Sequence, residues 1–152
     1  VGTVRCQEVM SRDLVVTAPQ ALAMEAWHLL SHHQIKALPV VDEGDKLVGI
    51  ITLHDLMIDR VGRQPRARAE LEQLTVADLM TREVHKARRY QPLYDLVEAF
   101  SDGGLHHMPV VEGDQLVGII TQSDMVAALF TLALKPGLTE DEVPPVSHKN
   151  EP

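Results

Sequence analysis

Hydrophobic and polar positions along this chain change from a helical period to short apolar runs, and the same succession occurs twice. In the first half, apolar residues three and four positions apart run through residues 20–33, and two Val- and Ile-rich segments follow at 38–41 and 47–52. The first pattern is typical of an amphipathic helix, and the second is typical of two strands joined by a turn. The segment 53–61 then predicts a closing helix.

The second half repeats this order almost residue for residue. Residues 37–55 have the sequence ALPVVDEGDKLVGIITLHD, and residues 107–124 have the sequence HMPVVEGDQLVGIITQSD. Each repeat also begins with a helical turn and a short strand-like segment, so each is a βαββα unit and the predicted fold class is α/β (α+β). The remaining predicted elements are helical turns at 7–10 and 76–80, strands at 14–17, 83–87, 108–111 and 116–121, and helices at 92–101 and 122–134.

The repeats also set the expected domain organisation. The first unit covers residues 7–61 and the second covers residues 75–134. Two copies favour a paired arrangement over a stacked array, which needs about three. Residues 62–74 carry basic side chains followed by acidic ones, which is typical of an exposed linker. Residues 135–152 combine prolines and acidic residues with few apolar ones, so we expect a tail that is disordered or docked on a partner.

The composition is typical of a globular protein and argues against membrane-spanning, disulfide-rich and nucleic-acid-binding proteins. The chain of 152 residues is 45% hydrophobic, enough for a compact core, and has no apolar run as long as the roughly 18 residues of a membrane span. Its single cysteine provides no disulfide framework, which favours the reducing cytoplasm. A net charge of -8 and an aromatic content of 3% argue against nucleic-acid binding, which uses basic surfaces and stacking side chains.

A Thr-x-x-Asp motif follows Gly-Ile-Ile at the end of the last strand in each repeat, as Thr52 with Asp55 and Thr121 with Asp124. The motif can be a capping box that satisfies the first N–H groups of the closing helix. It can also serve a ligand, because the carboxylate can accept hydrogen bonds from both hydroxyls of a ribose and the Thr hydroxyl can meet a phosphate. The strand glycine would then let the ligand approach the backbone. Its occurrence twice in one context favours ligand use.

The two segments with Pro-Val-Val followed by Gly-Ile-Ile-Thr-x-x-Asp resemble a tandem pair of the cystathionine β-synthase (CBS) domain family, over about residues 7–130. The resemblance implies two βαββα units packed by their sheets with pseudo-twofold symmetry, and clefts between them that bind adenine nucleotides. It also implies homodimers. The implied function is regulatory and not catalytic. The module would bind AMP, ADP or ATP, with or without Mg²⁺, and would control an attached domain.

The resemblance further implies which residues bind the nucleotide. Asp55 and Asp124 would hold ribose hydroxyls, and Thr52 and Thr121 would approach phosphate. Residues just ahead of the Pro-Val-Val strand would line the adenine pocket, and each cleft would combine both repeats. Thr17, Ile35 and Lys36 would complete the cleft of Asp124, and Ala87, Leu105 and His106 would complete the cleft of Asp55. The other implied nucleotide-binding residues are Thr17, Ile35, Lys36 and Leu38 in the first repeat, and Leu105, His106, His107 and Met108 in the second.

Two groups of basic side chains could neutralise phosphate in this acidic chain. The first consists of Lys36, His106 and His107, beside the implied adenine pocket. The second is a cluster of basic residues that a solvated surface explains equally well, namely Arg82, Lys86, Arg88 and Arg89.

The segment SDGGLHHMPVV, at residues 101–111, resembles more narrowly the cytosolic CBS pair of HPP-family bacterial membrane proteins. In that case the chain is the cytosolic part of an inner-membrane protein. Its partner would then be a transmembrane domain of the same full-length protein, and a first residue other than Met agrees with a fragment.

Two other classes of function stay open. Catalysis or metal binding would use histidines such as His28 and His32, which are four residues apart on a predicted helix. The chain has no HExxH, GxSxG or Walker lysine motif and no third ligand at suitable spacing, so we predict no enzyme and no metal site. The second alternative is a structural dimerisation module whose clefts are degenerate or bind S-adenosylmethionine, a ligand without phosphates.

Overall fold

A computed structural model describes residues 4–60, 68–102 and 105–133, and each repeat forms the predicted order of helix, two strands and helix. The α/β fold class is thereby confirmed. The first repeat contains α1 (Cys6–Val9), α2 (Ala23–His33), β1 (Ala37–Val41), β2 (Leu47–Thr52) and α3 (Leu53–Arg60). A short helix, α4 (Arg68–Gln73), follows. The second repeat contains α5 (Val76–Leu79), β3 (Ala87–Arg88), a 3₁₀ turn (Leu93–Leu96), α6 (Val97–Asp102), β4 (His107–Glu112), β5 (Gln115–Thr121) and α7 (Gln122–Ala133).

The chain packs as two compact units whose limits differ from those of the repeats. One, here called the first-repeat unit, comprises Val15–Val84 and Asp114–Leu116. The other, the second-repeat unit, comprises the described residues within Val1–Leu14, His85–Gly113 and Val117–Pro152. Each unit therefore contains the segment that leads into the other repeat, here called the lead-in segment (residues 4–14 for the first repeat and 75–84 for the second). Accordingly, α5 belongs to the first-repeat unit and α1 to the second-repeat unit.

The first-repeat unit is built on the antiparallel pair β1 and β2, in which Leu38 lies opposite Ile51. Single bridges extend this pair at both edges, because Thr17 pairs with Val40 and Thr81 pairs with Ile50. Every residue of β1 is buried, as expected of a strand covered on both faces. The core of the unit consists of Ala26, Leu30, Leu38, Val40, Ile51, Val76 and Met80.

The second-repeat unit contains a sheet with the strand order β3-β4-β5. β3 is parallel to β4, with Ala87 opposite Val110, and Ser11 pairs with Ile119 of β5. The core includes the fully buried Cys6, and burial raises the pKa of this thiol to about 12, so the group is neutral and unreactive at physiological pH. The other principal core residues are Val9, Leu93, Phe100, Met108, Ile120, Met125 and Ala128.

Two helices begin later than their periodicity predicts, because the residue before each is held in an extended bridge. α2 begins at Ala23, since Leu22 pairs with Thr75. The helix predicted at 92–101 begins as the 3₁₀ turn at Leu93, since Pro92 pairs with Arg5. In both cases the pairing residue belongs to a lead-in segment of the same compact unit.

Other departures concern the short segments. Of the strands predicted at 14–17 and 83–87, only Thr17 and Ala87 take part in the sheets, and β3 extends to Arg88. α4 lies inside the segment expected to be a linker. Residues 61–67 and the predicted tail at 135–152 lie outside the described residues. Within the described ranges, no helix is both long and apolar enough to cross a membrane.

Candidate functional site

The Thr-x-x-Asp motif stands where the last strand of each repeat runs directly into the last helix. In the first-repeat unit, the Thr52 N–H donates to Asp55 Oδ2 (3.0 Å) and the Asp55 N–H donates to Thr52 Oγ1 (3.1 Å). In the second-repeat unit, the Thr121 N–H donates to Asp124 Oδ2 (2.8 Å) and the Asp124 N–H donates to Thr121 Oγ1 (3.2 Å). Both motifs are capping boxes, so this interpretation of the sequence is confirmed.

The caps leave binding capacity at both junctions. A carboxylate has about four lone-pair positions, and a hydroxyl whose oxygen accepts a bond keeps its own O–H as a donor. The hydroxyls of Thr52 and Thr121 each accept from a backbone N–H, so each can still donate to an oxygen of a ligand. The positive end of the helix dipole at α3 and α7 also favours an anion. A cap and a ligand site are therefore compatible here.

Asp55 has a second side-chain partner that the sequence motif did not indicate. The Thr81 hydroxyl donates to Asp55 Oδ1 at 3.2 Å, with Oδ2 at 3.5 Å. Thr81 is itself fixed by two backbone hydrogen bonds with Ile50, of 2.8 and 2.9 Å. The half-buried carboxylate of Asp55 is thus held from two sides.

Asp124 is the more enclosed of the two carboxylates, with only 6% of its surface exposed. Aspartate is rarely buried to this extent unless partners stabilise its charge, and the Thr121 N–H supplies one such bond at 2.8 Å. On the adjacent strand, Ile119 exchanges two backbone hydrogen bonds with Ser11, of 2.9 and 3.0 Å. Ser11 therefore occupies, in this unit, the position that Thr81 occupies in the other.

The expectation that the strand glycines admit a ligand is wrong. A Cβ on Gly49 would lie 2.8 Å from Met80 Sδ and 2.9 Å from the Thr81 carbonyl oxygen. A Cβ on Gly118 would overlap the side chain of Met10, with Cγ at 2.7 Å. The glycines therefore make room for the lead-in segments. The sequence contained a signal for this, because Met10 and Met80 occupy equivalent positions in the two repeats.

The residues ahead of each Pro-Val-Val strand lie against the start of the last helix in the same unit. The Leu53 N–H donates to the carbonyl oxygen of Lys36 (3.1 Å), and the Gln122 N–H donates to that of His106 (3.0 Å). The His106 ring also contacts Gln122, with Nδ1 and Oε1 3.2 Å apart. In each unit, the residues predicted to line an adenine pocket therefore lie beside the Thr-x-x-Asp motif of the same repeat.

The other predicted residues differ in accessibility. Leu38 and Met108 are buried in the cores of their units, and packing alone accounts for their apolar character. Ile35 and Leu105 are half-buried against those cores. Thr17 is buried, and its backbone pairs with Pro39 and Val41, as Ala87 pairs with β4 in the other unit. The accessible members of the set are Lys36 and His106, with His107 half-buried.

Part of the predicted basic cluster is already engaged within the protein. The Arg89 guanidinium donates to Glu112 Oε1 (2.7 Å) and to Gln7 Oε1 (3.1 Å), and it lies 5.2 Å from the centre of the Tyr90 ring. The hydrogen bond to Glu112 raises the pKa of Arg89. Arg82 donates to the Ala77 carbonyl oxygen at 3.3 Å. These contacts favour a structural role for both arginines over phosphate binding.

The histidines of α2 make ring contacts of their own. His28 packs edge-on against Trp27, with ring centres 5.0 Å apart, and His32 packs edge-on against His33, at 4.9 Å. Among the described residues, no group of three or more His, Cys, Asp or Glu side chains could hold a metal ion.

The sequence-family model of the CBS domain matches this chain twice, at residues 6–60 and 76–131. The two matches together cover most of the chain. The chain belongs to the CBS domain family. Both matched segments contain the junction of last strand and last helix described above. The Thr-x-x-Asp motif is thus part of the CBS repeat. Thr81, which donates to Asp55 of the first motif, lies in the lead-in segment of the second repeat.

Similar proteins include two whose structures contain adenosine compounds. CBSX2, in complex with AMP, is 26% identical with a TM-score of 0.72, and the match covers 83% of this chain and 96% of that one. The CBS domain pair of MJ0100, in complex with 5′-methylthioadenosine and S-adenosyl-L-methionine, is 31% identical with a TM-score of 0.66, over 84% of this chain and 96% of that one.

One curated relative is the protein MK0525 of Methanopyrus kandleri, which is 29% identical over 122 residues. The match covers 78% of this chain and 59% of that protein. The chain thus spans little more than half of the length of this relative.

Proposed function

We propose that this CBS pair is a regulatory module that binds an adenine nucleotide, AMP, ADP or ATP, at its Thr-x-x-Asp junctions. Asp55 and Asp124 hold the ribose hydroxyls, and the hydroxyls of Thr52 and Thr121 donate to phosphate. The observation that carries the proposal is the enclosed carboxylate of Asp124 at the start of α7. A cap requires no such burial, whereas a ribose site gains from it, because hydrogen bonds to charged groups are stronger away from water.

The residues ahead of β1 and β4 supply the base and phosphate contacts in this proposal. Ile35 and Leu105 offer partly exposed apolar surface to the adenine ring. Lys36 and His106 are exposed and lie beside the helix starts, so they can neutralise phosphate. His107, Thr17 and the buried pair Leu38 and Met108 complete the set as supports of the site.

The second candidate ligand is S-adenosylmethionine or a related thioether nucleoside. The MJ0100 domain pair supports it, since that protein binds such compounds and its identity to this chain is 31%. These ligands share the ribose but have no phosphate. Binding that ignores phosphates and tolerates loss of the Lys36 charge would therefore favour this candidate. A structural module with degenerate sites would bind neither class.

Association into a homodimer is the second part of the proposal. In the first-repeat unit, α2 and α3 expose four large apolar side chains, namely Met24, Trp27, Leu53 and Met57. Trp27 is the bulkiest of them, and 49% of its surface is exposed. These side chains border an apolar groove of about 660 Å³ that Leu71 and Leu74 also line. Contiguous apolar surface of this kind is typical of protein–protein contacts. A second copy of the chain is the proposed partner.

Regulation follows from the difference in ligand affinity between two conformations of the protein, so a bound nucleotide must favour one of them. The regulated element in this proposal is an attached domain of a longer protein, and the module itself catalyses no reaction. A transmembrane HPP-type domain and a cytosolic location for the module stay predictions of the narrower resemblance.

Isothermal titration calorimetry tests the proposed function. AMP, ADP, ATP and S-adenosylmethionine are titrated into the protein, with and without Mg²⁺. Saturable binding of one nucleotide, weakened in the Lys36→Ala variant, is the expected result. Binding of S-adenosylmethionine alone, unchanged in that variant, would replace the nucleotide with the second candidate, and absence of binding by all four ligands would contradict both.

A further inference from the structure

Thr81 contacts the proposed ribose-binding carboxylate of the first-repeat unit from outside the Thr-x-x-Asp motif. Its hydroxyl donates to Asp55 Oδ1 at 3.2 Å, while the Thr52 N–H donates to Asp55 Oδ2 at 3.0 Å. The two oxygens of one carboxylate are therefore each held by a different donor. The two donors come from distant parts of the sequence.

The remaining acceptor capacity of Asp55 matches a ribose. Each carboxylate oxygen has two lone-pair positions, and one on each accepts one of these two hydrogen bonds. One position on each oxygen remains, and a 2′,3′-diol has two hydroxyl donors to fill them. A 2′-deoxyribose would leave one of these positions unfilled.

Thr81 also limits how the carboxylate can turn. The terminal torsion of aspartate is broad, so the single bond from Thr52 would leave the plane of the carboxylate free to rotate. Thr81 is a β-branched residue with a restricted side-chain torsion, and its backbone is fixed by two hydrogen bonds with Ile50. The second donor therefore fixes the direction of both free positions.

We propose that Thr81 is a positioning residue that sets the selectivity of the Asp55 site for ribose over 2′-deoxyribose. The inference rests on the proposed function, because it assumes that Asp55 binds a ribose. It adds a specificity-determining residue that lies outside the motif and in the lead-in segment of the other repeat.

Calorimetry in an Asp124→Asn background isolates the Asp55 site. The ligands are AMP and 2′-deoxy-AMP, and the variants are Thr81→Val, which keeps the shape but removes the donor, and Thr81→Ser, which restores the donor. We expect Thr81→Val to weaken AMP binding about tenfold and 2′-deoxy-AMP binding about twofold or less, so that ribose selectivity falls. Thr81→Ser should recover most of the selectivity.

The matched control is Ser11→Ala in the same background, which should leave AMP binding at Asp55 unchanged. Thermal unfolding of each variant without ligand separates loss of folding from loss of binding. Undiminished ribose selectivity in a folded Thr81→Val protein would overturn the inference alone. If the Asp124→Asn protein binds no AMP while the unsubstituted protein does, Asp55 is not a ribose site and the inference fails. If neither protein binds AMP, ADP or ATP, the nucleotide function fails with it.

Discussion

At the scale of single residues, Gly49 and Gly118 have no room for a side chain because methionines of the lead-in segments pack against them. Gly49 and Gly118 precede the Thr-x-x-Asp motif, and a ligand approaching the backbone was a sufficient reason for glycine there. The structure supplies a different reason, because the side chains of Met80 and Met10 occupy the space beside these glycines. The identity of these neighbours depends on the packing of the lead-in segments, which is a tertiary feature.

Gly49→Ala should destabilise the protein, because the new Cβ would lie 2.9 Å from the Thr81 carbonyl oxygen and the backbone would have to shift. We expect a loss of about 1–3 kcal/mol in the free energy of unfolding. Urea denaturation measures it. The control is Gly44→Ala in the exposed β1–β2 turn, where the nearest atom is 3.6 Å away. Equal effects of the two substitutions would contradict this account of Gly49.

At the scale of secondary structure, the sequence predicts most helices and strands because hydrophobic periodicity is a local property. The bounds predicted for the β2 strand agree fully with the structure, since β-branched residues and flanking turn residues define it. The starts of α2 and of the helix predicted at 92–101 lie later in the structure, at Ala23 and at Leu93. Both depend on bridges to distant residues, Thr75 and Arg5, and no local pattern contains that information.

The capping boxes give a prediction at this scale. Thr121→Ala removes the hydroxyl that accepts from the Asp124 N–H at the start of α7, which should cost about 1 kcal/mol of stability. Thr131→Ala is the control on the same helix, because the Thr131 hydroxyl only donates to the Ala127 carbonyl oxygen. That substitution should change stability little. Thermal unfolding compares them, and a larger loss for Thr131→Ala would contradict the assigned cap.

At the scale of the whole molecule, the internal duplication predicts two similar units and locates one Thr-x-x-Asp motif in each. It does not predict that the lead-in segments exchange units, because the choice of packing partner depends on three-dimensional complementarity. The same limit applies to the candidate site: the two Thr-x-x-Asp junctions could be located from the sequence, whereas the Asp55 contact with Thr81 could not. The enclosure of Asp124 was equally invisible in the sequence.

The proposed homodimer predicts that a charge on the exposed apolar surface of α2 prevents association. Trp27→Glu should convert the dimer to a folded monomer, because a carboxylate would be desolvated at the contact. Sedimentation velocity measures the change. Tyr90→Glu, at a residue that is 58% exposed in the second-repeat unit, should leave the dimer intact. A protein that is already monomeric without substitution, or a dimer unaffected by Trp27→Glu, would contradict this interface.

Nucleotide binding by the Thr-x-x-Asp carboxylates is the central claim, and thermal unfolding with saturating AMP, ADP or ATP tests it most directly. A ligand at 100 times its dissociation constant adds about 2.7 kcal/mol of stability, which for a chain of this size corresponds to about 5–10 °C. We predict such a shift for the unsubstituted protein with at least one nucleotide. We predict no shift for the Asp55→Asn/Asp124→Asn variant, provided that it unfolds cooperatively without ligand. The same shift in both proteins, or none in the unsubstituted one, would contradict the claim.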